Sequence, residues 1–188
     1  LAEEDGANRT IRFAQPVESF LPAIGNTPLP PYIHEKLLNP ERYQTIYNEV
    51  AGSAAAPTAG LHFTEQLIRS LEAQGVQFTE VLLHVGLDTF APVNEENVED
   101  HHIHCEWCQV SEETANCIRA TKQAGGRVIA VGTTSVRTLE SAARDVPPHE
   151  GIRAYEGMTD LFILPGYPFH VVDAMITNFH LPKSTLIM

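Results

Sequence analysis

Arg127-Val128-Ile129-Ala130-Val131-Gly132-Thr133-Thr134-Ser135-Val136-Arg137-Thr138-Leu139-Glu140 passes from a β-branched apolar run, through a single glycine, into a helical pattern. The run 127–131 reads as a short buried strand and 133–144 as a helix. Three hydroxyls stand in the first turn of that helix. Together with the free backbone N–H groups they can hold a carboxylate or a phosphate. Arg137 comes one turn later and offers a bidentate contact. Strand–Gly–helix turns line the crevices of open α/β sheets, where ligands bind beyond the carboxyl ends of the strands. The plain alternative is ordinary capping by Thr133 or Thr134. This segment carries neither the glycines of a dinucleotide-binding G-x-G-x-x-G nor the lysine of a P-loop, which excludes both motifs here.

Outward from this unit, helix and strand alternate. Residues 8–14 alternate around Ile11 and Phe13 as a strand, and 16–24 read as a short helix closed by Gly25. Thr27-Pro28-Leu29-Pro30-Pro31-Tyr32 is a stiff, extended connector. A domain boundary falls there, dividing 1–27 from 28–188. Asn39-Pro40 is an N-cap followed by proline at the first helical position, opening a helix through Tyr43 and Tyr47. Leu67, Ile68 and Leu71 give 63–74 a helical spacing, with Gly75 as the stop. Residues 76–85 suit a strand. Ser111 caps a helix through Ala115, Ile118 and Lys122 that ends at Gly125-Gly126. The segments 161–163, 171–172 and 175–177 are further strand candidates. This alternation predicts an α/β fold, a layered domain with a mixed sheet and helices on both faces.

The chain has 188 residues, enough for a substantial core. At 43% hydrophobic and 19% charged it is globular rather than disordered. No apolar run is long enough for a membrane span. The chain opens without Met or a signal-like segment and stops inside the apolar run Leu186-Ile187-Met188, so both ends read as cuts through a longer chain. Cys105, Cys108 and Cys117 make no disulfide framework and fit a reducing, cytoplasmic setting. The net charge of −12 taken alone argues against nucleic acid, because phosphate contacts need Lys and Arg.

Four more segments carry chemistry-bearing residues. In Pro57-Thr58-Ala59-Gly60-Leu61-His62-Phe63-Thr64, small residues around Thr58 and Gly60 would let a ligand approach the backbone, with His62 at a helix start; the alternative is a loop and a cap. His84-Val85-Gly86-Leu87-Asp88 follows a strand, where a His suits a site or is satisfied by backbone. His101-His102-Ile103-His104-Cys105-Glu106-Trp107-Cys108 is the densest cluster of metal-ligand types. In an extended chain, however, His102, His104 and Glu106 share one face and Cys105 and Trp107 the other, so no four-ligand zinc site is prepared. The favoured arrangement is a strand showing His104 and Glu106 to a pocket, with Trp107 behind. Asn178-Phe179-His180-Leu181-Pro182-Lys183 could stack a base and touch a phosphate, or be a capped junction with a solvated Lys.

Taken together, these stretches closely resemble one family, the S-adenosylmethionine:tRNA ribosyltransferase-isomerases of queuosine biosynthesis (the QueA family). The resemblance runs through Pro28-Leu29-Pro30-Pro31-Tyr32-Ile33, Glu41-Arg42-Tyr43-Gln44-Thr45, the Gly52-to-Thr64 stretch, His84-Val85-Gly86-Leu87, His101, His104 and Glu106. It continues through the Val131-to-Ser141 stretch, Pro165-Gly166-Tyr167 and the Ile176-to-Met188 stretch. Nearly the whole chain is covered, in the family's order. Asp88 departs from it, since the family usually has Gly there, and so do the cysteines within 103–108.

The resemblance implies that an α/β domain carries a β-barrel domain, of which 1–27 would be the last part. It implies transfer of the ribosyl group of S-adenosylmethionine to an aminomethyl-deazaguanine in the wobble position of a tRNA anticodon loop, with no metal and no cofactor beyond S-adenosylmethionine as co-substrate. A monomer is the expected state. Removing a carbon-bound proton requires a base poised near neutral pH. His62, His84, His104 and Glu106 are the candidates, unranked. Thr133, Thr134, Ser135 and Arg137 would hold the methionine carboxylate. Phe179, His180 and Lys183 would meet the splayed-out guanine and its phosphate, with Thr58, Gly60 and Asn178 completing the binding surface. Two other classes remain open: a metal-dependent hydrolase or deaminase built on the His/Cys cluster, and a non-catalytic RNA-binding module.

Overall fold

The computed structural model describes residues 2–5, 8–27, 29, 33–86 and 103–180. Lys183, Asp88, His101 and His102 lie outside them. Strands β1 (Ala2–Asp5) and β2 (Asn8–Ile11) form an antiparallel hairpin, with Ala2 opposite Ile11 and Asp5 opposite Asn8. The expected barrel remnant goes no further than this pair among the described residues. Helix α1 (Leu21–Ile24) is a single turn, closed by the Gly25 amide on the Leu21 carbonyl at 2.7 Å. Only the end of the expected 16–24 helix forms.

Local capping chemistry sets most of the later boundaries. The Asn39 side chain accepts from the Glu41 amide at 3.1 Å and opens the 3-10 turn Pro40–Tyr43. The expected continuation to Tyr47 does not occur. The chain becomes extended at Gln44, with Tyr43 and Thr45 buried, and this sends Tyr47 toward Gly60. Thr64 caps α2 (Glu65–Glu72) by accepting from the Leu67 amide, and Ser111 caps α3 (Glu112–Gln123) by accepting from the Thr114 amide. Gly75 and Gly125, with φ of 88° and 74°, take the left-handed positions just past these two helices.

Beyond the β1-β2 hairpin, the described residues form two small sheets where a mixed sheet was expected. Strands β3 (Leu82–His84), β4 (Glu106–Val110) and β6 (Tyr155–Thr159) make an antiparallel sheet in the order β3-β4-β6. Strands β5 (Ile129–Val131) and β7 (Ala174–Ile176) make a parallel pair, with Val131 opposite Ile176. Helix α4 (Thr133–Ala143) touches β3, β4, β5 and β6 and so joins the two sheets. Antiparallel and parallel pairing combined with packed helices is an α/β arrangement. The core gathers Val110, Ala115, Ile118, Ala130, Val136, Leu139 and Ile152 between α3, α4 and the strands. Ile152 is fully buried, worth about 1.5–3 kcal/mol for the side chain alone.

The segments 161–163 and 171–172 are not strands, although they read as such. Arg137 Nε donates to the Leu161 carbonyl at 3.0 Å. The Val171 and Val172 amides donate to Glu140 Oε1 at 3.0 and 2.9 Å. Buried side chains of α4 thus take backbone groups that a sheet ladder would otherwise use.

Candidate active site

Gly132 turns the chain from β5 into α4 with φ +89°, a conformation that side chains with a Cβ rarely adopt. Its amide donates to the Ile176 carbonyl at 2.8 Å, which ties the start of α4 to the carboxyl end of β7. The helix's own ladder begins with Val136 N–H on the Gly132 carbonyl, so the amides of Thr133, Thr134 and Ser135 point past the helix end. The Ser135 hydroxyl bonds back to the Val131 carbonyl at 2.8 Å. The Thr133 and Thr134 hydroxyls make no hydrogen bond among the described residues. Half-buried, they stand at the positive end of an 11-residue helix, where negative charge is favoured.

A second segment closes on this helix end. The 3-10 turn Thr58–His62 packs Ala59 beside Gly132. Gly60 lies under Tyr47, and a Cβ at that position would collide with the Tyr47 hydroxyl. Burial pushes the Tyr47 phenol up from its ordinary value, and the Glu80 carboxylate adds to the shift. Beyond β7, Asn178 Nδ2 donates to Thr58 Oγ1 at 3.1 Å, and Asn178 Oδ1 lies 2.9 Å from His62 Nε2. Thr58, Gly60, His62, Thr133, Thr134 and Asn178 therefore come from three separate stretches to one place, the carboxyl ends of the parallel strands.

Glu106 and Arg137 go elsewhere. Arg137 Nη1 meets Glu106 Oε2 at 2.5 Å, with side-chain exposures of only 10% and 7%. Arg137 Nη2 donates to the carbonyls of His104 and Thr159 at 2.7 and 3.2 Å, and the Gly86 amide donates to Glu106 Oε1 at 3.0 Å. Burial draws the Arg137 pKa down, and Glu106 opposes the shift. Arg137, expected at a ligand carboxylate, is paired here with an internal one. Glu106, expected to face a pocket, is buried. On β4 it shares the buried face with Cys108 and Val110, while Trp107 on the other face packs against His84 with ring centroids 5.1 Å apart. Position 52 must be glycine for His84 to sit there, since a Cβ would strike its ring. His104 precedes β4 and is exposed.

Phe179 is fully exposed. His180 keeps Nδ1 buried and without a hydrogen-bond partner among the described residues, and burial lowers its pKa. Cys105 is exposed and Cys108 buried, with burial pushing the Cys108 thiol up. Among the described residues no group of three His, Cys, Asp or Glu could hold a metal ion, and no helix is long and apolar enough to cross a membrane.

Glu140 was not singled out by sequence reasoning. Fully buried, it accepts from the amides of His170, Val171 and Val172 and from the Tyr167 hydroxyl. It thereby holds the loop that leads into β7 and on to Asn178. Its placement four residues after Val136, on the face that α4 buries, was the available signal.

A parallel strand pair ending at a helix N-terminus, with an imidazole held nearby and an antiparallel sheet packed on the same helix, is the arrangement of an α/β protein. Residues 1–188 match the model of the queuosine biosynthesis protein family. S-adenosylmethionine:tRNA ribosyltransferase-isomerase of Clostridium kluyveri is 55% identical over 187 residues, which are 98% of this chain and 54% of that protein. The Staphylococcus epidermidis protein of the same name is 50% identical over 186 residues, 99% of this chain and 54% of that one. The crystal structure of S-adenosylmethionine tRNA ribosyltransferase from Thermotoga maritima matches at TM-score 0.53 and 49% identity, covering 69% of this chain and 39% of that chain. The chain belongs to the queuosine biosynthesis protein family. It spans about half the length of the curated relatives it matches.

Proposed function

We propose that this chain carries about half of an S-adenosylmethionine:tRNA ribosyltransferase-isomerase, with the reaction centred on the place where Thr58–His62, the start of α4 and Asn178 meet. The observation that carries this reading is the convergence of His62, through Asn178 and Thr58, on the open α4 N-terminus. Relatives of that name at 50–55% identity give the site its chemistry.

In this reading the Thr133 and Thr134 hydroxyls and the neighbouring amides hold the methionine carboxylate of S-adenosylmethionine. The sulfonium acidifies the adjoining ribose CH₂, and His62 takes the proton. Adenine leaves, the aminomethyl group of the tRNA base attacks the sugar, and epoxide closure expels methionine. Every leaving group is part of the substrates. Phe179, with its ring fully exposed, stacks the extruded base, and His180 and Lys183 contact that base and its phosphate. His84 and His104 serve structure. Residues 1–27 belong to a separate small domain.

The test is to incubate S-adenosylmethionine with a tRNA bearing the aminomethyl-deazaguanine, using this chain and the same chain extended to the length of its relatives. Release of adenine and methionine only when that tRNA is present supports the reading. If the folded, extended protein releases neither, the reading fails.

A further inference from the structure

Asn178 leaves one ring nitrogen of His62 committed and the other open. Its Nδ2 donates to Thr58 Oγ1 at 3.1 Å, and its Oδ1 lies 2.9 Å from His62 Nε2. A carbonyl oxygen only accepts, so the ring nitrogen facing it carries a proton. A neutral imidazole has one N–H, so Nδ1 keeps its lone pair. The contacts join residues 116 and 120 positions apart, and so reflect the fold rather than a local turn.

We propose that Asn178 is a positioning residue that holds His62 in the Nε2–H tautomer, making Nδ1 the atom that accepts the substrate proton, and that Thr58 anchors the Asn178 amide beside His62. This rests on His62 being the base. In the step itself the ribose C–H bond breaks and its proton goes to Nδ1. The electron pair stays on the carbon beside the sulfonium and drives out adenine. The resulting imidazolium holds protons on both nitrogens while Nε2–H still donates to Asn178 Oδ1. It returns to neutral when the Nδ1 proton passes to the departing adenine, directly or through solvent. Without the amide, both tautomers of His62 become accessible, and the wrong one presents an N–H where a lone pair is needed.

The test has two readouts on the full chain. The first is the ¹⁵N spectrum of the histidine-labelled protein, with His62→Gln identifying the His62 signals. The expected result is a protonated Nε2 and a bare Nδ1 in the wild type and in Asn178→Asp, which keeps an acceptor in place, and a tautomer mixture in Asn178→Ala. The second is turnover with S-adenosylmethionine and the modified tRNA. Asn178→Ala should lower kcat by about ten- to a hundredfold with KM nearly unchanged, less than the ~10²–10⁴ that a whole general base contributes. Asn178→Asp should restore most of that loss. Should Asn178→Ala not fold, the spectrum of Thr58→Val decides, since a released amide should give the same mixture and an unaltered spectrum would overturn the role of Thr58. A wild-type spectrum with the proton on Nδ1 would overturn the tautomer assignment whatever the fate of His62 as base. That assignment of the base fails separately if His62→Gln turns over normally.

Discussion

Two polar clusters share the first two turns of α4, and they are built on opposite principles. Around Arg137 and Glu106 the polar groups face one another: a carboxylate, three carbonyls and an amide surround one guanidinium–carboxylate pair. Around Thr133, Thr134 and His62 the groups are half-buried or exposed and several point at no protein partner. A closed cluster fixes the distances between β4, β6 and α4. An open one keeps hydrogen-bonding capacity for a ligand. Charge alone therefore misleads, because the most strongly charged candidates in the chain are the ones least able to reach a substrate.

Mutation should separate the two clusters sharply. Arg137→Ala leaves Glu106 buried without its cation and should cost about 3–5 kcal/mol of stability, read from urea unfolding. A loss below about 1 kcal/mol would mean that water reaches the pair, and the contrast between the clusters would collapse. His62→Ala should do the reverse, lowering turnover by about 10²–10⁴-fold while shifting stability by no more than about 0.5 kcal/mol. Equal losses of both in one variant would erase the distinction. Gly60→Ala tests the floor of the open site. The added methyl displaces the Tyr47 ring from above the Thr58–His62 turn, and overpacking should cost about 1–3 kcal/mol in thermal unfolding.

The smallest effect concerns the loop that Glu140 holds. Burial first, and then the Glu140 carboxylate, push the Tyr167 phenol from 10.0 up to about 12. The folded state thus favours the neutral phenol. Its contribution is fully present below the ordinary pKa and is lost as pH rises through the folded one. Stability should fall between pH 10 and about 12 in the wild type, and this part of the fall should be missing in Tyr167→Phe. An identical alkaline profile in both would remove Tyr167 from the account.

The features that could be read in the chain are those decided within a few residues. Asn39, Thr64 and Ser111 cap their helices because a side-chain oxygen reaches an amide two or three positions on. Gly132 turns β5 into α4 because the left-handed backbone there favours glycine. Boundaries that depend on distant partners were missed or misread. The β6 strand Tyr155–Thr159 carries Glu156 and Gly157, poor strand formers, yet pairs along the whole of β4. Residues 161–163 and 171–172 are apolar enough for strands and are held instead by Arg137 and Glu140.

For the site, residue types were informative and roles were not. The sequence by itself determined where hydroxyls, imidazoles and small residues stand along the chain, and through them the family, because motif order survives without any knowledge of contacts. Only the tertiary structure decided which of four candidate bases stands beside the open helix end. Whether a carboxylate faces solvent, an arginine or a ligand depends on what packs over it, and the Glu106 partner is 31 positions away. The bond between Asn178 and His62 spans 116 positions and exists only because β7 pairs with β5 and brings its carboxyl end to the Thr58–His62 turn.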